Sequence, residues 1–258
     1  KHLGALTVNS SGAGTISIND IGTADNPGVE DTGNVALGNT SDTASVTFTG
    51  TVINTGPTTT QTYNAKAGET FKTSGGAITF KSTATAIKFD TGSIDLDADD
   101  NLTVNSLGGT ITVAGIVGDS SETVTLNANA ADSSTSDAEK IVVTGDIGNL
   151  NEIGAVNFQA ADGITLSGDI TTSNAVSATV TMTGAVVISG DVDINTTASN
   201  AVIKFTSTID GKTGDPADNL TIDNGSGKTS FGGAIGSDKP LTSLNIGQVT
   251  GSTGAIDL

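Results

Sequence analysis

Apolar and polar residues alternate along short segments of the chain, with Val, Ile, Leu or Phe at every second position. Gly, Asn and Asp, the residues that turns prefer, separate these segments. Alternation with a period of two predicts half-buried β-strands, and helical periodicity is almost absent. The sequence therefore predicts an all-β fold. The clearest segments are SVTFTGTV (45–52), AITFKS (77–82), TITVAGIVG (110–118), ATVTMTG (178–184) and VIKFTSTI (202–209).

A glycine recurs near the end of these segments in the pattern [IV]-x-[FVLI]-x-Gly-x-[IV]. Most gaps between the matching glycines are one or two units of about 22 residues, a length that matches one coil of a parallel β-solenoid. We therefore predict a right-handed parallel β-helix of eleven or twelve coils, each about 22 residues long. The matching glycines are Gly50, Gly115, Gly145, Gly168, Gly190 and Gly233, and Gly92 belongs to a looser copy with one additional residue.

The predicted core is thin, because stacked coils present the same apolar positions to one another and need few large side chains. An array of β-sandwiches is the alternative architecture, since it also gives short alternating strands. The absence of Trp and the interval near 22 residues favour the solenoid. Five phenylalanines that follow a Val or Ile by two positions are predicted to point inward: Phe48, Phe80, Phe89, Phe158 and Phe205.

The whole chain, 1–258, is predicted to form one solenoid that is a segment of a longer repeat protein. Two polar stretches interrupt the repeat. The stretch 23–43 is interpreted as an inserted lateral loop or a divergent terminal coil, and 128–140 as a polar insertion. The segments at 6–18 and 244–258 resemble each other, so the chain begins and ends inside related motifs. We expect further chain or another subunit to adjoin these ends.

The charge balance is strongly acidic: 28 Asp and Glu against 10 basic residues, all of them Lys, give a formal net charge of −18. Nucleic-acid binding depends on basic patches and is excluded as a function class. No apolar stretch approaches the roughly 18 residues that span a membrane. The acidity suits an extracellular or cell-surface protein in a cation-rich medium, and the absence of Cys is compatible with that location.

Two clusters of aspartates are candidate calcium sites. The segment SIDLDADDN (93–101) is predicted to place Asp95, Asp97 and Asp99 on one strand face, and SGDVDIN (189–195) does the same for Asp191 and Asp193. Carboxylate oxygens are the ligands that Ca²⁺ prefers. A solvated acidic face explains the same pattern, and both interpretations stay open.

Asp also follows the repeated glycine in TGDIG, SGDI and SGDV, at Asp146, Asp169 and Asp191. A metal-binding or catalytic carboxylate would be expected at every copy of the motif. Other residue types follow the glycine elsewhere in the chain, including Thr51 and Ile116. We therefore interpret the Asp as one of several residues that this turn accepts.

No catalytic residue is predicted, and structural calcium is the only cofactor considered. The single histidine, His2, lies near the beginning of the chain, and neither Cys nor Arg is present. A polysaccharide-active β-helix enzyme stays a remote alternative, because two Asp on adjacent coils have the chemistry to hydrolyse a glycoside.

The segment KTSFGGAIGSDKPLTSLNIGQVTGSTGAIDL (228–258) resembles a unit of the Gly/Thr-rich β-strand-repeat surface proteins of bacteria, which include filamentous-haemagglutinin-like exoproteins and autotransporter passengers. Weaker copies of the unit cover most of the chain. The resemblance implies a secreted or cell-surface β-helical protein that assembles with copies of itself into a fibre, sheath or surface layer (S-layer). An adhesin stalk that binds cell-surface glycans or proteins is the alternative, and no catalytic residue transfers.

Overall fold

The computed structural model describes residues 5–10, 14–23, 34–41, 43, 45–56, 60–66, 68–74, 76–129, 139–173, 178–198, 200–214, 217–247 and 255–257. None of these residues is helical, which agrees with the predicted all-β fold. The strands in chain order are β1 (Leu6–Val8), β2 (Thr15–Ile18), β3 (Val35–Leu37), β4 (Ser45–Phe48), β5 (Val52–Thr55), β6 (Gln61–Asn64), β7 (Thr70–Thr73), β8 (Ile78–Ser82), β9 (Ile87–Thr91), β10 (Ser93–Asp95), β11 (Leu102–Ser106), β12 (Ile111–Val113), β13 (Ile116–Val117), β14 (Thr123–Ala128), β15 (Ile141–Val143), β16 (Ala155–Ala160), β17 (Ile164–Leu166), β18 (Ile170–Thr171), β19 (Val180–Thr183), β20 (Val186–Ile188), β21 (Asp191–Asn195), β22 (Ile203–Phe205), β23 (Ile209–Gly211), β24 (Asn219–Asp223), β25 (Lys228–Phe231), β26 (Ser243–Ile246) and β27 (Ala255–Asp257).

The strands form the three parallel sheets of a β-solenoid, and the chain visits sheets I, II and III in turn. Sheet I has the order β1-β3-β6-β9-β12-β15-β17-β20-β23, and sheet III has the order β5-β8-β11-β14-β16-β19-β22-β25-β27. Sheet II comprises β2-β4-β7-β10-β13 and β18-β21-β24-β26, which Ile147 joins by bridging Ile116 and Ile170. Every pairing among the described strands is parallel, which rules out the sandwich alternative.

The coils are longer and fewer than predicted. They average about 25 residues and make about eight complete turns, which stack nine strands in each of sheets I and III, rather than eleven or twelve coils of 22. The step from Ile164 to Val186 has the predicted 22 residues, whereas the step from Ile111 to Ile141 takes 30. Corners of unequal length cause the difference, because the ladder register constrains the strands and leaves the turns free to vary. The stack of strands is roughly 40 Å long at ~4.8 Å per layer.

One continuous hydrophobic core runs through the solenoid. All five phenylalanines predicted to point inward are buried. In the amino-terminal coils the rings meet across the three sheets. Tyr63 stacks on Phe89 with centroids 4.7 Å apart, and its buried hydroxyl donates to Gln61 Oε1 at 2.8 Å. In the carboxy-terminal coils Phe205 stacks on Phe231, its register partner in the next coil.

The predicted insertions coincide in part with regular structure. Strand β3 lies within 23–43 and belongs to sheet I with Val35 and Leu37 buried, so this part of the segment is not a lateral loop. The rest of that stretch, 24–33, and the centre of the second stretch, 130–138, lie outside the described residues. The second stretch lies between the main parts of β14 and β15, within the 30-residue step from Ile111 to Ile141.

The glycines of the repeat pattern do not occupy one equivalent position. Gly115, Gly145, Gly168 and Gly190 lie between sheets I and II, here called the I–II corner. Gly50, in contrast, lies between sheets II and III, the II–III corner, and Gly233 lies between sheet III and the sheet I bridge residue Ile235. The sequence pattern therefore marks corners in general rather than one corner of each coil, because any change of strand direction favours glycine.

Candidate functional site

Acidic side chains gather at the two corners that flank sheet II. On sheet III, the described outward positions of the central strands carry no Asp or Glu, although the chain is strongly acidic as a whole. One in-register row of that face consists of Thr79, Thr103, Thr125, Asn157, Thr181 and Lys204. The two acidic corners are therefore the candidate functional site.

At the I–II corner, three aspartates form a column along the solenoid axis. Asp146, Asp169 and Asp193 each precede an inward isoleucine, and these isoleucines pair with one another in successive coils. Asp146 Oδ1 accepts a hydrogen bond from the main-chain N–H of Asp169 at 2.9 Å, and Asp169 Oδ1 accepts one from that of Asp193 at 2.8 Å. The carboxylates of Asp146 and Asp169 thus each join their coil to the next through a charge-assisted hydrogen bond.

The glycines at this corner are required by close approach of the coils as well as by backbone conformation. A Cβ on Gly145 would collide with the carbonyl oxygen of Ala114 in the preceding coil. A Cβ on Gly168 would in turn collide with the main chain of Gly145. Gly190 differs: it has a φ of +92° and open space where a Cβ would lie. The same residue type therefore serves two physical purposes within one corner.

Asp191 and Asp193 both lie on β21 and point outward, as predicted. Asp191 is exposed and accepts a hydrogen bond from Asn219 Nδ2. Asp193 Oδ1 is buried without a hydrogen-bond partner. Desolvation raises the pKa of Asp193, and the neighbouring charges of Asp223 and Asp169 raise it further. A surface depression of about 410 Å³ lies here, lined by Asp169, Asp191, Val192, Asp193, Asn219, Thr221, Ser243 and Asn245.

The structure corrects the alignment of the repeated Gly-Asp motif. By sequence, Gly190-Asp191 corresponds to Gly168-Asp169. In the sheet, Ile170 pairs with Ile194, so the residue equivalent to Asp169 is Asp193. The coil that contains β21 has two additional residues before its inward isoleucine, and these displace the motif from the column.

At the II–III corner, the predicted face of three aspartates does not form. Strand β10 ends at Asp95, whose carboxylate pairs with Lys72 Nζ at 3.4 Å. Asp97 and Asp99 lie in the turn beyond the strand, and Asp99 has a φ of +67°. Ala98, expected on the interior face, is exposed. The alternation of the sequence continues past Asp95, but the chain turns there towards sheet III.

The turns of two successive coils stack in register at this corner. Asp95 pairs with Val117 and Leu102 with Val124, so the two intervening turns have equal lengths. Ser121 Oγ donates to Asp99 Oδ1 at 2.9 Å, and Asn101 Oδ1 accepts from the main-chain N–H of Thr123 at 2.7 Å. A depression of about 310 Å³ opens beside the turns, lined by Thr47, Lys72, Thr73, Ser74, Asp95, Leu96, Asp97, Gly118, Asp119 and Asn151.

Two buried carboxylates, Asp100 and Glu122, occupy equivalent positions in these stacked turns. Their exposed fractions are 5% and 0%. Glu122 Oε2 accepts from the main-chain N–H of Asp119 at 2.7 Å, whereas Asp100 Oδ2 and Glu122 Oε1 are buried without a hydrogen-bond partner. Neither residue of this pair was predicted from the sequence as a site residue. Their burial could have been predicted from their positions, because side chains on a strand alternate. Asp100 stands two residues before the inward Leu102, and Glu122 stands two residues before the inward Val124.

No group of three or more Asp, Glu, His or Cys side chains in the described part of the chain is arranged to hold a metal ion. Calcium binding by Asp95, Asp97 and Asp99, or by Asp191 and Asp193, stays a prediction. A helix long and apolar enough to cross a membrane is not found among the residues that the structure describes.

In comparisons with known proteins, the chain matches no family model, no curated protein and no solved structure.

Proposed function

We propose that the protein is a structural rod of the bacterial cell surface, which assembles with copies of itself into a fibre, sheath or surface layer. The observation that carries this proposal is the stacking of coils through the continuous nine-stranded ladders of sheets I and III around one core. In such a stack every coil contacts only its neighbours, so the rod lengthens by one layer with each added coil. A structural spacer requires a long, regular stack of this kind, whereas an enzyme requires an active-site cleft.

The outermost described strands support assembly along the solenoid axis. At the carboxy-terminal end, β26 and β27 each pair on one side only among the described strands, and the same is true of β1 and β2 at the other end. Leu244 and Ile246 pack against the core but are only partly buried, and Ile256 is 51% exposed. A strand edge with adjacent apolar surface is a template for pairing with another chain.

Three further features support a location outside the cell. The net charge is −18, Cys is absent, and the segment 228–258 resembles units of Gly/Thr-rich surface proteins. Acidic surfaces keep such proteins soluble and interact with the divalent cations of the medium.

An adhesin stalk is the second candidate, and the outer face of sheet III favours it. There Thr103, Thr125, Asn157 and Thr181 lie in register on successive coils, with no carboxylate between them in the described strands. Neutral hydroxyl and amide groups at a regular spacing suit hydrogen bonding to a polar partner such as a cell-surface glycan.

Electron microscopy and analytical ultracentrifugation of the purified chain over a range of concentrations test the proposal. We expect regular polymers, and we expect Ile256→Lys to shorten them because it places a charge at an edge strand. Val202→Lys is the matched control, since Val202 is also exposed (43%) but lies within the stack. Monomeric rods at every concentration would refute self-assembly, and monomers that bind a glycan array would support the adhesin candidate.

Polysaccharide cleavage is tested separately by incubating the protein with acidic and neutral polysaccharides. The proposed structural role predicts no turnover. Turnover that disappears on substitution of Asp95 or Asp191 would instead establish the enzyme alternative.

A further inference from the structure

Asp100 and Glu122 are buried acidic side chains that no described basic residue neutralises. Within the described residues, no Lys side chain lies within ion-pair distance of either carboxylate; the ion pairs found there join Lys72 to Asp95 and Lys228 to Asp257. Transfer of an ionised carboxylate from water to a protein interior is costly unless the charge is paired and hydrogen-bonded. Two such groups with an unpartnered oxygen each therefore call for a ligand that neutralises them.

Their placement fits one shared ligand. The ladders on both sides of the turn put Asp100 in register with Glu122, one layer apart along the axis. Both residues continue the inward-facing alternation of β11 and β14, so both side chains enter the same side of the II–III corner. The layer spacing is ~4.8 Å, and Ca²⁺ binds oxygen at about 2.3–2.6 Å. A single ion between the two layers would reach both carboxylates.

We propose that Asp100 and Glu122 together bind one Ca²⁺ ion inside the II–III corner. The side-chain donors are oxygens only, which suits Ca²⁺ and not a metal that prefers nitrogen or sulfur ligands. Main-chain carbonyl and water oxygens complete the coordination, because Ca²⁺ takes six to eight oxygen ligands. The bound ion joins two consecutive coils. This site does not depend on the proposed structural function.

The aspartates Asp95 and Asp99 nearby are poorer ligands than the buried pair. Asp95 is paired with Lys72, and Asp99 Oδ1 already accepts from Ser121. Gly118 is part of the same arrangement, because a Cβ there would lie 2.6 Å from Glu122 Oε2. The absence of a side chain at this residue gives the Glu122 carboxylate the room to lie inside the corner.

Isothermal titration of CaCl₂ into the EDTA-treated full chain, together with thermal denaturation, tests the site. We expect one equivalent of Ca²⁺ to bind and the melting temperature to rise with Ca²⁺ concentration. The double substitution Asp100→Asn with Glu122→Gln should abolish both signals. Asp191→Asn with Asp193→Asn is the matched control, since it removes the same charge from the I–II corner and should leave one equivalent bound.

Glu122→Asp provides a milder variant, in case the double substitution impairs folding. It keeps the charge but withdraws the carboxylate by one methylene, and we expect at least tenfold weaker Ca²⁺ binding. Absence of Ca²⁺ binding by the wild-type chain would overturn the proposal. So would binding that is lost in the Asp191/Asp193 control and kept in the Asp100/Glu122 variant. Higher stability of the Asp100/Glu122 variant without any Ca²⁺ response in the wild-type chain would likewise overturn it, because the two carboxylates would then be buried without a ligand.

Discussion

The I–II and II–III corners flank the same sheet and carry the same kind of residue, yet they use it differently. At the I–II corner, Asp146 and Asp169 accept main-chain N–H groups of the next coil and face outward. At the II–III corner, Asp100 and Glu122 lie inside and each keeps one oxygen without a partner. The outward carboxylates link coils directly, whereas the inward pair can do so only through a bound ligand.

A difference of one residue separates the two arrangements. Asp146 and Asp169 stand immediately before an inward isoleucine, so the alternation of the strand directs them outward. Asp100 and Glu122 stand two residues before Leu102 and Val124, and the same alternation directs them inward. Because side chains on a strand alternate between its two faces, parity relative to the core decides whether an acidic residue is solvated or buried.

The largest effect that we predict concerns the close approach of coils at the I–II corner. Gly145→Ala should lower the free energy of unfolding by about 3 kcal/mol or more, because the new Cβ collides with the main chain of Ala114. Gly190→Ala should cost only about 1–2 kcal/mol, the penalty of a left-handed conformation, because no atom lies near its Cβ position. Urea denaturation measures both. Equal losses would contradict the proposed division of roles between these glycines.

Removal of one carboxylate from the I–II column should have the next largest effect. Asp169→Ala leaves the main-chain N–H of Asp193 without its acceptor, and we expect a loss of about 1–2 kcal/mol. Asp191→Ala serves as the control, since Asp191 is exposed and should change stability by less than about 0.5 kcal/mol. A larger loss of stability for Asp191→Ala than for Asp169→Ala would contradict the column given by the structural register. It would favour the column given by the sequence alignment, which includes Asp191.

Replacement of the Asn101 amide by a carboxylate tests whether repulsion between negative charges destabilises the II–III corner. Asn101→Asp keeps the acceptor for Thr123 N–H but adds a charge beside Asp99 and Asp100. We expect a loss of about 0.5 kcal/mol that shrinks in high salt, because exposed charges are screened. Asn101→Ala is the comparison: it removes the acceptor, so its loss should not depend on salt. A salt-independent loss in Asn101→Asp would mean that geometry, not charge, is responsible.

The smallest predicted effect is the pH dependence contributed by Asp193. Burial raises the pKa of this carboxyl above the ordinary value of 3.8, and Asp223 and Asp169 reinforce the shift. The folded state therefore holds the proton more tightly than the unfolded chain, and this contribution to stability falls as pH rises from about 3.8 through the raised pKa. Asp193→Asn should raise the melting temperature slightly at neutral pH.

That gain should disappear at about pH 3, where the carboxyl is protonated in both states. Asp191→Asn, measured in parallel, controls for the loss of one negative charge. A gain for Asp193→Asn that persists unchanged at pH 3 would show that ionisation is not its cause.

Much of the fold could be predicted from the sequence, because stacking repeats the same apolar positions in every coil. The inward phenylalanines and the parallel β-solenoid follow from period-two alternation and a recurring interval. The candidate site was less predictable. Asp95 and Asp193 were identified with their correct outward direction, but the alternation through 93–101 gave no sign that the strand ends at Asp95.

The sequence by itself determined that this chain is an acidic, all-β stack of coils with apolar side chains inside, because alternation and composition are local properties. The tertiary structure decided the coil length, the corner at which each glycine lies, and which aspartates share a column. Those features depend on ladder register between residues more than 20 positions apart, where one or two additional residues in a turn displace every later side chain. The burial of Asp100 and Glu122 in one corner depends on the same register.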